Sequence, residues 1–175
     1  MPSDLPTCVV LLRGINVGGR NRLAMHVLTR VLQEAGCADV RTYLQSGQAV
    51  VRAEPGGLAE RVRAALPIDV VVLVRTAQEI ADVVARNPFP ERVQEPKRLH
   101  VAFLTSVPDP AAVEALGPRH GADRMVVAER EVYLAYGGGS QESTLTAALL
   151  ERRLRVGASA RNWTTVTKLA ELSRS

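Results

Sequence analysis

The residues with the greatest capacity for chemistry stand between positions 13 and 22: Arg13, Gly14, Asn16, Gly18, Gly19, Arg20, Asn21 and Arg22. Guanidinium forks match phosphate and carboxylate oxygens. Glycines let backbone N–H groups turn toward a ligand, and a helix starting just beyond adds partial positive charge. The combination fits a phosphate or carboxylate. The string GINVGG has neither the spacing of the dinucleotide fingerprint nor the Lys-Ser/Thr ending of a phosphate loop. The same residues equally make a tight strand-to-helix connection whose asparagines satisfy backbone groups. Gln45, Ser46, Gly47 and Gln48 form a second polar turn, which alone reads as a hairpin.

Other concentrations are smaller. Arg161 and Asn162 stand beside Trp163, the sole Trp, just before a final helix. There Trp163 packs the helix onto the core, and Asn162 or Thr164 caps it. Arg161 and Asn162 are also candidate ligand-binding groups. Gly137, Gly138, Gly139 and Ser140 read as a flexible loop rather than a phosphate cradle. Cys8 and Cys37 have no metal spacing and no Cys-x-x-Cys pairing, and Cys8 reads as a small buried hydrophobe. His26, His100 and His120 are far apart and read as structural or solvated. No Ser-His-Asp, Cys-His or paired-carboxylate constellation is visible, so no reaction is assigned. No metal and no cofactor is expected.

The elements that position these residues follow from apolar periodicity. TCVVLL, residues 7–12, is a continuous apolar run with a β-branched core, a central strand buried on both faces. Leu23, Val27, Leu28, Val31, Leu32 and Ala35 mark an amphipathic helix. Gly36 is placed to end it in the left-handed conformation. Residues 40–44 and 49–53 are strands around the polar turn. Leu58, Val62, Ala65 and Leu66 mark a second helix, and residues 70–74 a further strand. Thr76 and Glu79 have capping-box spacing, opening a helix to about Arg86. Two prolines in residues 87–90 stop it. In the second half, residues 99–104 are a strand, and Asp109-Pro110 starts a helix that Gly117 ends. Residues 124–128 and 132–135 are strands with a tight turn at Glu129-Arg130. Helices follow at residues 145–154 and 164–172.

The order is β-α-β-β-α-β, then β-α-β-β-α with a closing helix and no evident final strand. A β-α-β-β-α-β unit is the split plait of ferredoxin-like folds. The expected class is α+β, with two ferredoxin-like halves packed as one compact unit. Residues 1–86 form the first subdomain, 87–97 a linker and 98–175 the second. In such a plait the first two strands run parallel with the third between them. Residues 13–22 and the turn at 45–48 therefore converge at one sheet edge.

Composition bounds the reading. The chain has 175 residues, 46% hydrophobic and 3% aromatic, with formal charge +4. No apolar run approaches the roughly 20 residues of a membrane span. Residues 1–6 lack a signal-peptide pattern, so a cytoplasmic location is expected. Of the 22 basic residues, all but Lys97 and Lys168 are Arg. A GC-rich genome encodes Arg, Ala and Val by default, so the arginine count carries little weight and position decides.

Four strings then occur in order: LLRGINVGGRNRLAM, RTYLQSGQAVV, NPFPE and RNWTTVTKLAEL. With them the chain resembles, over essentially its whole length, the bacterial family called domain of unknown function 1697. The resemblance implies a two-subdomain α+β fold of ferredoxin-like character. It implies no activity, because the family has none established. The matching positions are Arg13, Gly14, Asn16, Gly18, Gly19, Asn21, Gln45, Ser46, Gly47, Arg161, Asn162 and Trp163. The chain departs from the pattern at Gln48, usually Asn, and at Ala24, often Pro. It also reads Ser143-Thr144-Leu145 where Ser-Lys-Leu is common, and Thr144 lacks the lysine's charge.

Three functions are compatible with these features. The first is binding of a small anionic or nucleotide-like ligand at the glycine-rich loop. The second is an interaction protein forming a homodimer through a sheet edge or helix. The third is a basic nucleic-acid-binding module, which the scarcity of aromatics leaves without the usual base-stacking surface. The ranking follows that order, with a monomer or homodimer and no membrane partner expected.

Overall fold

The computed structural model describes residues 4–175, a mixed α+β chain with two antiparallel sheets and six helices. It divides into two units. One runs to Asp82 and takes in Leu169–Ser175; the other is Val83–Lys168.

In the first unit the apolar run becomes β1 (Thr7–Leu12), buried along nearly its whole length. It is central because β3 (Gln48–Arg52) and β4 (Val72–Thr76) pair with it on either side, both antiparallel. β2 (Ala38–Tyr43) adds outside β3, giving the order β2-β3-β1-β4. Alternation along β1 sends Cys8, Val10 and Leu12 to one face. There they join a core with Leu28, Leu32, Leu58 and Val62 from α1 (Met25–Glu34) and α2 (Leu58–Ala65). Each such leucine contributes roughly 1.5–3 kcal/mol through burial. The other face, with Val9, Leu11, Val50 and Leu73, is equally buried. Gly36 ends α1 with φ 93°, as its position predicts.

α3 (Ala77–Ala85) opens with the capping box: Thr76 N donates to Glu79 Oε2 at 2.7 Å, and Glu79 N to Thr76 Oγ1 at 3.2 Å. The end of the chain, Leu169–Ser175, falls in this unit and not with residues 98–175. Arg41 holds it, donating to Leu172 O at 3.0 Å and Ser175 Oγ at 2.8 Å.

The second unit is built on β5 (Leu99–Leu104), with β8 (Glu131–Ala135) on one side and β9 (Ala158–Asn162) on the other. β7 (Asp123–Ala128) and the short β6 (Arg119–His120) complete the order β6-β7-β8-β5-β9. Its helices are α4 (Pro110–Leu116), α5 (Ala147–Leu154) and the first part of α6 (Trp163–Leu172), which from Leu169 on falls in the first unit. β9 corrects the sequence reading, which has no final strand here. Ala158-Ser159-Ala160 lacks the β-branched pattern of a strand, yet its small side chains let α5 pack closely, and Ala158 is fully buried in that core. Residues 87–97 are more than a linker. Phe89 is buried, with the Arg124 guanidinium 4.8 Å from its ring centroid and Arg124 paired to Glu91 at 2.7 Å. No helix among the described residues is long and apolar enough to cross a membrane.

Candidate functional site

The connection between β1 and α1 is wound by left-handed residues. Gly14, Gly18 and Gly19 take φ of 63°, 58° and 74°, and Asn16 and Asn21 take 55° and 49°. Non-glycine residues adopt this region at a cost, Asn least of all. The tip closes as a small turn, with Arg20 N donating to Val17 O at 3.0 Å.

The asparagines work on the backbone. Asn16 Nδ2 donates to Leu23 O and Gln45 O, both at 2.8 Å, and its Oδ1 accepts from Leu23 N at 2.8 Å. Asn21 Nδ2 donates to Gly14 O at 3.2 Å. Leu12 N reaches Gly47 O at 2.7 Å. The β1–α1 connection and the β2–β3 turn therefore meet. Gly47 is forced at this meeting point. Its φ is 84°, and a Cβ there would lie 2.7 Å from the Ile15 side chain. Gln48 is buried and binds Tyr43 O at 2.7 Å and Ser46 Oγ at 3.0 Å.

Beside this knot lies a cavity of about 550 Å³, lined by Asn16, Gly19 and Gln45 and by Arg22, Leu23, Met25 and His26. The start of α1 forms part of its wall. Ala24 is the N-cap in extended conformation, no side chain caps the helix, and its first turn holds no acid. Of the sequence-predicted residues, Asn16, Gly19 and Gln45 line the cavity. Arg13, Gly14, Gly18, Arg20, Asn21 and Ser46 shape or flank the loops without lining it. Met25 and His26, the latter read from the sequence as structural or solvated, are not among the expected ligand-binding residues. The signal available was that they open the helix immediately after Arg22.

Arg161 and Asn162 belong to the second unit. Arg161 is buried on β9, donating to Ser159 Oγ at 2.7 Å and Ala160 O at 2.9 Å. Burial pushes its guanidinium down to about 10. Asn162 Oδ1 accepts from Thr165 N at 2.9 Å and caps α6, as read from sequence, and Trp163 is buried.

The glycines at 137–139 flank a different cavity, of about 370 Å³, whose lining includes Asp123 and Glu142. Gly137 N and Ser143 Oγ both donate to Asp123, at 2.9 and 2.5 Å. Gly137 is required because a Cβ would lie 2.5 Å from that of Ala122. Two carboxylates make this a poor place for an anion. His120 Nε2 lies 3.2 Å from Gly117 O, and Ser143 Oγ also accepts from Leu145 N at 2.9 Å.

Among the described residues no group of three His, Cys, Asp or Glu could hold a metal ion. Burial, then the nearby Cys37, pushes the Cys8 thiol up to about 11, which makes it an inert core residue.

The fold is similar to that of a solved structure, the conserved bacterial protein SP0830 from Streptococcus pneumoniae. The likeness covers 97% of this chain and 99% of that one, with TM-score 0.74 and 19% identity. At that identity it speaks for the fold alone. No curated protein matches the sequence. Residues 5–133 match the model of a family described as protein of unknown function, DUF1697. With most of its length so matched, the chain belongs to the DUF1697 family of proteins of unknown function.

Proposed function

We propose that the protein binds a small anionic ligand, of phosphate or carboxylate type, in the cavity between the β1–α1 connection and the β2–β3 turn. The observation that carries this reading is the start of α1. A helix N-terminus carries about half a positive charge and is normally relieved by an acidic or hydroxyl cap. Here no side chain caps it, no acid stands in its first turn, and Arg22 and His26 line the adjoining cavity. Cationic groups at that end are electrostatically unfavourable. A bound anion removes the conflict.

The scaffold supports the same reading. Both sheets contain the strand order of a split plait, β2-β3-β1-β4 in the first unit and β7-β8-β5-β9 within the second. We read both units as ferredoxin-like on that ground, and the protein as a cytoplasmic bacterial one. Such a plait brings the first connection and the second turn to one sheet edge, where the cavity lies.

A thermal-shift series with inorganic phosphate, pyrophosphate and adenosine monophosphate tests the proposal. At least one raises the melting temperature of the wild type, and Arg22→Gln loses that rise while melting normally without ligand. Equal stabilisation of both proteins, or of neither, overturns the reading.

A further inference from the structure

The turn between β2 and β3 holds a bulky apolar residue in a backbone conformation that does not suit it. Leu44 takes φ 56° and is 55% exposed. The left-handed region is unfavourable to any side chain with a Cβ and rare for a bulky one. At that exposure the leucine stands outside the core of the first unit. The second unit shows that folding does not call for an apolar residue in such a turn. Between β7 and β8, Glu129 takes φ 54°, and it is charged and paired with Arg86 at 4.0 Å.

Leu44 has an apolar neighbour. Asn16 Nδ2 donates to Gln45 O at 2.8 Å, and the residues beside the two ends of that bond are Val17 and Leu44. Val17, at the tip of the β1–α1 connection, is 61% exposed. The other exposed large hydrophobics have different settings. Val93 and Val126 are less exposed and stand among the ion pairs Arg92–Glu95 and Arg124–Glu91. Val107 lies in the β5–α4 connection, whose hairpin turn is the charged Glu129-Arg130.

The charge around Val17 and Leu44 has one sign. Residues 13–33 and 40–53 contain Arg13, Arg20, Arg22, Arg30, Arg41 and Arg52 and no Asp or Glu. Arg41 and Arg52 are engaged by the carbonyls of Leu172 and Leu5, whereas Arg20 and Arg22 are exposed next to Val17. Asp69, ahead of β4, is already paired with Arg63 at 2.8 Å. A second copy docked on the same patch across a two-fold axis would set these arginines against their own counterparts, which like-charge repulsion opposes. An acidic partner meets no such repulsion.

We infer that Val17 and Leu44 form the docking point for a segment of another protein, an acidic peptide with a bulky apolar side chain. The apolar anchor covers Leu44 and Val17, removing from water surface that the free chain leaves exposed, and its carboxylates meet Arg20 and Arg22. The strained leucine then serves binding and not folding. This inference stands apart from the anion reading, since Leu44 and Val17 do not line that cavity.

The test is selection of random dodecapeptides displayed on phage against the full chain, followed by calorimetric titration with a synthetic peptide from the enriched set. The enriched peptides carry Asp or Glu around a Leu, Phe or Trp, and the affinity falls as salt rises. Leu44→Ser and Val17→Ser each weaken binding about tenfold or more, the scale of an interface anchor. Both positions are exposed, and unchanged melting temperatures verify the fold. Leu44→Gly separates binding from folding. It relieves the left-handed backbone, so the melting temperature holds or rises while binding is lost. No enriched peptide, an enriched set without acidic residues, or affinity that survives Leu44→Ser overturns the proposal. So does concentration-dependent dimerisation in sedimentation that Leu44→Ser abolishes, which assigns the patch to a second copy. The thermal shift with phosphate is unchanged in Leu44→Ser, so the failure of one reading is distinguished from the failure of the other.

Discussion

The two units solve the same connection in opposite ways. In each, the last residue of the first strand donates to the following hairpin turn, Leu12 N to Gly47 O at 2.7 Å and Leu104 N to Arg130 O at 2.8 Å. The next residue is tied to the segment ahead of the last strand, Arg13 N to Val71 O at 3.0 Å and Thr105 N to Gly157 O at 2.9 Å. The last strands also correspond. Arg75 and Arg161 are both buried, stand opposite Val9 and Val101, and donate to the preceding carbonyl, of Val74 and Ala160. A capping residue follows each, Thr76 and Asn162.

The connections differ. Residues 105–109 pass directly into α4, where Asp109 accepts from Ala111 N at 2.9 Å and Pro110 fills the first position. Residues 13–24 take a longer path through left-handed Asn and Gly and deliver an uncapped helix beside arginine. The short version shows that the scaffold closes without such a loop. The long version stores backbone strain and charge conflict that folding does not require, which is where a ligand site is expected.

Mutations can break this comparison, the largest effects first. Gly47→Ala places a Cβ against Ile15 at an unfavourable φ and lowers stability by about 3–4 kcal/mol in urea unfolding. The second unit has its own weak point in His100. Its Nδ1 has no hydrogen-bond partner, and burial pushes the imidazole from 6.5 down to about 4. The unfolded chain takes up that proton near pH 6.5 and the folded one only near 4. Stability is therefore full above pH 6.5 and falls as pH drops toward 4, by at most roughly 3 kcal/mol. Unfolding at pH 7 and pH 4.5 shows the slope, and His100→Leu flattens it.

Asn16→Ala removes three bonds, one to the other loop at Gln45 O and two to Leu23 within its own connection, and leaves Ala at φ 55°, a loss of about 2–3 kcal/mol. Asn16→Gly relieves the φ but not the bonds and recovers about 1 kcal/mol of it. The smallest change is the most instructive. Ala24→Asp gives α1 the cap that α4 already has, at a position whose extended backbone suits it. Stability rises by about 1 kcal/mol while anion binding is lost. Unfolding and titration of one variant, moving in opposite directions, separate the needs of folding from those of the site.

Much of this was legible in the residues. TCVVLL could only be a central strand, and Thr76-Glu79 and Asp109-Pro110 announce their helices because capping is local chemistry. β9 was hidden because Ala158-Ser159-Ala160 owes its conformation to pairing with β5 and packing by α5, not to propensity. In the candidate site, the glycines and asparagines of the β1–α1 connection take the left-handed backbone that their types favour. Their side chains, though, are engaged by backbone groups, and Gln45 O, the partner of Asn16, comes from the other loop. His26 gave no signal of its own, since its importance depends on the cavity formed only when the loops meet. Arg161 illustrates the reverse case. Its type and neighbours resemble a binding group, and on β9 its side chain is buried and bonded to Ser159 Oγ and Ala160 O.

The most direct test of the central claim is a phosphate titration followed by the backbone amide resonances of the full chain. The account predicts saturable shifts at Arg22, Leu23, Met25 and His26, with no response at Asp109, Ala111 and Ala112 of the corresponding helix. Shifts of equal size at both helices, or none at the start of α1, would contradict it.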